Sequence, residues 1–180
     1  MTGTTGRGPH VVVTGPMGVG KSTTADALGV ALGREVRDSD RDIESTFGCT
    51  GADLVAAHGV DELHRIESAM LLGALASPTP LVVAAAGWVI EDPRCREALR
   101  NRAITIVLAA PRAELVRRSA TGAHRRPLPA EEFDAQNERR RRWYAELAWA
   151  EVDAAMPVDQ IVESITSSIA DAVDGSAGPS

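Results

Sequence analysis

The residues with the plainest chemistry lie near the start of the chain. Gly15-Pro16-Met17-Gly18-Val19-Gly20-Lys21-Ser22-Thr23 has a glycine, four free positions and then Gly-Lys-Ser, the spacing of a loop whose backbone N–H groups close around phosphate oxygens. In such a loop Gly18, Val19, Gly20, Lys21, Ser22 and Thr23 surround the phosphates. The Lys21 ammonium reaches the terminal ones, and the Ser22 hydroxyl holds Mg²⁺. Composition sharpens this reading. Of 19 Lys plus Arg only Lys21 is a lysine, so the chain uses arginine everywhere else it needs a cation. The exception sits where a compact ammonium is required and a planar guanidinium fits badly.

Asp38-Ser39-Asp40 is the second cluster. Phosphoryl transfer needs one carboxylate to steady Mg²⁺ and often another to orient the attacking hydroxyl. In an extended Asp-x-Asp segment both side chains point the same way, which suits Asp38 and Asp40 to those tasks. The bland alternative is that Ser39 or Asp40 caps the next helix. Arg125-Arg126-Pro127-Leu128 lies in a Gly/Pro-bounded loop at about 121–130, suited to a closing lid whose arginine neutralises charge on the transferred group. The run Arg139-Arg140-Arg141-Arg142 reads as a solvated helix face with one or two members turned inward.

These residues need elements to position them. His10-Val11-Val12-Val13-Thr14 is a β-branched run leading into the glycine loop, and Ala25, Leu28, Ala31 and Leu32 follow at helical spacing, with Gly33 as a stop. Further strands are expected at 35–38, 80–85, 103–108 and 150–153. Helices are expected at 41–47, 52–58, 61–75, 93–100, 114–119, 131–147 and 158–172. The alternation implies an α/β fold, a five-stranded parallel sheet flanked by helices on both faces, with ligands gathered beyond the strands' carboxyl ends.

At 180 residues the chain fits one domain, taken as 9–173 between flexible tails at 1–8 and 174–180. A net charge of −6 argues against broad nucleic-acid binding, and no apolar run approaches a membrane span. Cys49 and Cys95 are too few for a disulfide framework, which points to a reducing cytoplasm. The expected partner is a small molecule carrying a hydroxyl, handled by a monomer.

Taken together the motifs are similar to those of shikimate kinases from residue 10 to about 170. The resemblance rests on Gly15-x-Met17-Gly18-x-Gly20-Lys21-Ser22-Thr23, Asp38-Ser39-Asp40 with Ile43-Glu44, and Gly59 with Arg65-Ile66-Glu67. It also rests on the strand ending at Gly87, on Arg126-Pro127-Leu128, and on Arg140 with Tyr144. It implies a P-loop kinase of the nucleoside-monophosphate-kinase fold, using ATP and Mg²⁺ to phosphorylate a small polyol or cyclitol, shikimate or a relative. By the same resemblance Asp38 assists Mg²⁺, Asp40 contacts the reacting hydroxyl as base, and Lys21 and Arg126 act on the phosphates. Arg118 lies along the adenine, Arg140 pairs with the acceptor's carboxylate, and Ala86 and Gly87 line the acceptor.

The acceptor half departs from the family pattern. Where the family has Phe-Arg-Arg-Ile-Glu, this chain has Leu63-His64-Arg65-Ile66-Glu67, so His64 stands where an arginine grips the carboxylate. Neutral imidazole cannot make a bidentate charged clamp. Arg65 is turned about 100° away on the helix. Ala85-Ala86-Gly87 replaces three glycines, and Trp88 follows. An added Cβ would block close approach, unless the alanines merely extend the buried strand. These changes favour an acceptor other than shikimate. A gluconate-type sugar-acid kinase and a catalytically idle nucleotide-binding regulator are the alternatives. A guanine-specific switch is disfavoured because no Asn-Lys-x-Asp segment is present.

Overall fold

Five short strands rich in β-branched residues form the centre of the computed structural model, which describes residues 8–121 and 129–175. They are β1 (His10–Thr14), β2 (Val36–Asp38), β3 (Val82–Ala84), β4 (Ala103–Ala109) and β5 (Ala150–Asp153). All pair in parallel, in the order β2-β3-β1-β4-β5. The first strand is therefore central, and the loop leaving it opens at the middle of the sheet's carboxyl edge. The connections supply eight helices among the described residues. They are α1 (Lys21–Leu32), α2 (Ser39–Phe47), α3 (Gly51–His58), α4 (Val60–Leu75), α5 (Pro93–Arg102), α6 (Arg112–Thr121), α7 (Ala130–Leu147) and α8 (Val158–Gly175). One 3-10 turn, Val89–Glu91, precedes α5.

The alternation of β1 decides the two cores. Val11 and Val13 join a cluster with Leu28 of α1 and with Ile161, Ile165 and Ile169 of α8. Val12 faces the other way, into a cluster with Leu71 and Leu75 of α4, Leu99 of α5, and Tyr144 and Leu147 of α7. A central strand buried on both sides explains why its sequence is continuously apolar rather than alternating. A smaller cluster of Ile43, Leu54, Leu63 and Ile66 ties α2, α3 and α4 together beside β2 and β3. His10 belongs to this framework: it is 6% exposed and its Nδ1 accepts from the Leu81 amide at 3.1 Å.

Most element boundaries fall within one or two residues of the sequence expectation. The informative difference is at 38–40. Asp38 closes β2 and caps α2 itself, its Oδ1 accepting from Asp40 N at 2.9 Å and Arg41 N at 3.2 Å. The helix thus begins at Ser39, two residues before the expected start. Asp38-Ser39-Asp40 is not an extended segment, and strand alternation does not set the direction of Asp40. Asp92 plays the same capping role for α5, accepting from Arg94 N at 2.9 Å.

Hydrogen bonding by the Arg94 side chain holds the Asp92 carboxyl down to about 2, below its ordinary 3.8. A depressed carboxyl stabilises the fold above its unfolded value and loses that contribution as it protonates in the folded state. Asp92→Ala should therefore lower unfolding free energy by about 1 kcal/mol at neutral pH. In urea melts the gap to the parent protein should persist at pH 5 and shrink as pH falls from about 4 toward 2.

Candidate active site

The carboxyl ends of β1, β3 and β4 meet at very short range, and glycines make that possible. Gly15 leaves β1 with φ +144°, and a Cβ there would stand 2.4 Å from the Leu108 carbonyl of β4. Any side chain would push the loop off the sheet. Val19, 1% exposed, drops its side chain into the core beneath the loop, so the loop is anchored rather than draped over the surface. Gly20 caps α1 in the left-handed region, φ +99° and ψ +25°, turning the chain straight from loop into helix. Gly18, Val19, Gly20, Lys21, Ser22 and Thr23 thus form one continuous turn at a helix N-terminus, where unpaired amides and the helix dipole favour an anion. The Lys21 ammonium donates to the carbonyls of Gly15 at 3.3 Å and Pro16 at 3.0 Å. Ser22 is half-buried and Thr23 exposed.

Asp38 stands one strand beyond β3, in register with Ala84. It is 4% exposed, and while Oδ1 serves the helix cap, Oδ2 is enclosed and meets no donor among the described residues. An enclosed carboxylate oxygen left over from a cap suits a hydrated divalent cation beside the phosphate loop. Asp40 follows in the first turn of α2.

Opposite the loop, β3 runs on past Ala84. The Ala85 amide still donates to Val13 O at 2.9 Å, and Ala85 and Ala86 are each 2% exposed, with their methyls in the second core cluster. The alanines therefore extend the buried strand, and it is Trp88 that carries the departure to the surface. Gly87 sits at a crossing: a Cβ on it would lie 2.9 Å from Gly15 O, 3.1 Å from Tyr144 Oη and 3.4 Å from Arg140 Nη1. Tyr144 donates to Gly87 O at 3.4 Å, and burial pushes its hydroxyl up to about 12, so it stays neutral.

Arg140 is the buried member of the arginine run, 8% exposed. Its Nε donates to Glu91 Oε1 at 2.7 Å, while Arg139 takes both oxygens of the same carboxylate at 2.9 Å. Burial pushes the Glu91 carboxyl up, yet the two arginines outweigh it and the net shift is downward. Arg141 pairs with Glu138 and Arg142 lies over Trp143. Arg140 alone is buried, and with the exposed Arg139 it meets one carboxylate that sequence reasoning missed; a lone Glu in a short connection gives no periodic signal. Arg118 on α6 donates to Glu114 and to the Ala154 carbonyl just past β5. Arg65 pairs with Glu62 at 2.6 Å on the exposed side of α4, its side chain 65% accessible, so it does not take His64's place. His64 instead meets Trp88, ring centroids 4.1 Å apart. Arg125, Arg126 and most of the expected lid lie outside the described residues.

A phosphate loop at the carboxyl end of a central strand, acidic residues at the end of the strand two places away and helices on both faces define a P-loop small-molecule kinase. Comparison with known proteins agrees. The family model described as shikimate kinase matches residues 17–170. Shikimate kinase 2 of Dickeya chrysanthemi is 35% identical over 159 residues, covering 84% of this chain and 91% of the relative. Shikimate kinase of Symbiobacterium thermophilum is 34% identical over 145 residues, covering 77% and 83%. The shikimate kinase from Acinetobacter baumannii, solved in complex with shikimate, superposes with a TM-score of 0.81 at 25% identity, covering 95% and 96%. A gluconokinase from Sinorhizobium meliloti shares the fold, with a TM-score of 0.65 at 19% identity and coverage of 96% and 100%. The chain belongs to the shikimate kinase family.

The Glu91 node generates a test. Glu91→Gln leaves two arginines, one of them buried, facing an amide, and should cost about 2–3 kcal/mol. Because the native carboxyl is held below its ordinary 4.5, the loss should be full at neutral pH and fade only as acid protonates Glu91 in the parent. Chemical unfolding at pH 7 and at pH 4 checks both the size and the direction.

Proposed function

We propose that this chain transfers the γ-phosphoryl group of ATP, with Mg²⁺, to a ring hydroxyl of a small cyclic polyol of the shikimate class. The observation that carries this is that Asp38 Oδ2, enclosed and without a donor among the described residues, and the Gly15–Ser22 loop both lie at the sheet's carboxyl edge. The membership of the chain in the shikimate kinase family supports ATP as the phosphoryl source.

In this reading the amides of Gly18 to Thr23 bind the phosphates. Lys21 exchanges its two loop carbonyls for phosphate oxygens, a swap that costs little because carbonyls are weaker partners than anions. Ser22 and Asp38 hold Mg²⁺, which neutralises charge on the phosphates when bound. Asp40 accepts the proton of the attacking hydroxyl. Arg140, steadied by Glu91, orients the acceptor beside Gly87, and Arg126 and Arg118 cover the nucleotide. The protein works as a monomer in the cytoplasm. Among the described residues no helix is long and apolar enough to cross a membrane.

The reading is tested by coupling ADP release to a spectroscopic readout, with shikimate, quinate, gluconate, inositols and aminocyclitols as acceptors. Saturable turnover with a cyclic polyol is expected. Asp40→Asn should lower kcat by about 10²- to 10⁴-fold while MgADP still binds, whereas Lys21→Met should weaken nucleotide binding itself. Turnover that survives Asp40→Asn would remove that residue from proton transfer. ATP hydrolysis with no acceptor in the whole panel would favour the idle regulator.

A further inference from the structure

The two groups proposed above to hold Mg²⁺ come from different elements, Ser22 from the first turn of α1 and Asp38 from the end of β2. The sheet does not tie them together directly, because β3 lies between β2 and the strand that leads into α1.

A side-chain fork joins the two elements instead. Asp26 lies one helical turn after Ser22, on the same face of α1. Arg41, the residue after Asp40, reaches it with two parallel bonds: Nη1 donates to Oδ1 at 2.7 Å and Nη2 to Oδ2 at 2.6 Å. The Arg41 backbone amide meanwhile donates to Asp38 Oδ1 at 3.2 Å. One residue thus grips the helix of Ser22 with its guanidinium and the Asp38 carboxylate with its main chain. Beside the fork, α1 rests on β2 itself: Gly29, three residues after Asp26, leaves no room for a Cβ against Val36. That close contact seats α1 on β2, and the fork ties it to the first turn of α2. Arg37 braces the same turn from within, its Nε donating to both oxygens of Asp42 at 3.2 and 3.0 Å. Of the two arginines, Arg41 is the one that reaches α1.

The Asp26–Arg41 pair is too exposed to add much to folding stability, its side chains being 44% and 57% accessible. Hydrogen bonding from Arg41 holds the Asp26 carboxyl below its ordinary 3.8, so both partners are charged at neutral pH. A bidentate guanidinium–carboxylate pair is nevertheless directional, and it restrains the orientation of the elements that it joins.

We infer that Arg41 is a positioning residue for the metal: paired with Asp26, it holds the Asp38 carboxylate and Ser22 at the spacing that one divalent cation needs. This rests on the kinase reading above, which assigns Mg²⁺ to Ser22 and Asp38, and adds the residue that keeps the two in register.

The test measures binding of a non-hydrolysable ATP analogue by calorimetry, with Mg²⁺ and with EDTA, and the Mg²⁺ dependence of turnover. It compares the parent with Asp26→Asn, Arg41→Met, Arg41→Lys and the double variant Asp26→Asn/Arg41→Met. Asp26→Asn and Arg41→Met should each raise the Mg²⁺ needed for half-maximal turnover about tenfold and remove most of the gain that Mg²⁺ gives to analogue binding. Arg41→Lys, which keeps the charge without the fork, should lose about threefold. The double variant should be no worse than either single one, since all break the same fork. Binding in EDTA, and kcat and acceptor KM at saturating Mg²⁺, should stay within about twofold of the parent. Should Arg41→Met fail to fold, Asp26→Asn and Arg41→Lys still carry the comparison.

If charge alone mattered, removing the cation beside Asp38 would tighten Mg²⁺, removing the Asp26 charge would loosen it, and Arg41→Lys would change nothing. Opposite signs for Arg41→Met and Asp26→Asn therefore overturn the inference. Unchanged Mg²⁺ dependence, or additive losses in the double variant, overturn it too, and all of these leave the kinase reading standing. A parent that binds the analogue equally with Mg²⁺ and with EDTA fells the inference together with the assignment of Mg²⁺ to Ser22 and Asp38. No turnover of any acceptor fells the kinase reading, and the binding series then decides the inference by itself.

Discussion

The site depends on how closely three strand ends can approach. Gly15 passes the Leu108 carbonyl with no room for a methyl, and Gly87 passes the Gly15 carbonyl almost as tightly. Because the central strand is buried on both faces, neither neighbour can give way without opening a core. The phosphate loop thus inherits its position from the sheet. Through Gly87, that position passes to Tyr144 and Arg140 on α7. Two glycines with almost no surface of their own set the distance between the phosphate loop and the residues of α7 beside Gly87.

On either side of this seam the chemistry is built differently. The phosphate side is backbone amides, one ammonium and one enclosed carboxylate oxygen, parts that serve any nucleotide. The side proposed to take the acceptor is assembled from three elements: the turn carrying Trp88 and Glu91, α4 with His64, and α7 with Arg140 and Tyr144. Its polar groups are paired internally, Glu91 with two arginines and Tyr144 with Gly87 O. Such internally paired groups make that side stiff.

How much of this was legible in the sequence varied by scale. Strand runs such as His10–Thr14 and Ala103–Ala109 stood out because strands buried on both faces are continuously apolar. The phosphate loop stood out because its spacing is set by local backbone geometry. Asp38 was recognised as chemical but placed in the wrong local structure. Strand alternation says nothing about a residue that ends a strand by capping a helix, and here Oδ1 makes the cap while Oδ2 stays enclosed without a donor among the described residues. The departures at His64 and Trp88 were visible separately, but their contact joins α4 to the far side of β3 and no periodicity encodes it. Glu91 was invisible for a similar reason: its partners lie 48 and 49 positions away on a helix whose arginines look solvated.

The single lysine has a further meaning for a chemist. Lys21 Nζ is held by two carbonyls of its own loop and is the one side-chain amine in this sequence. Among side chains, an amine-acylating reagent would therefore read out this one locus, told apart from the chain's α-amine by peptide mapping. Acylation at that nitrogen would erase its charge and reduce its capacity to donate to the loop. Modification stoichiometry would then track loop occupancy, a natural tracer confined to the nucleotide half of the cleft.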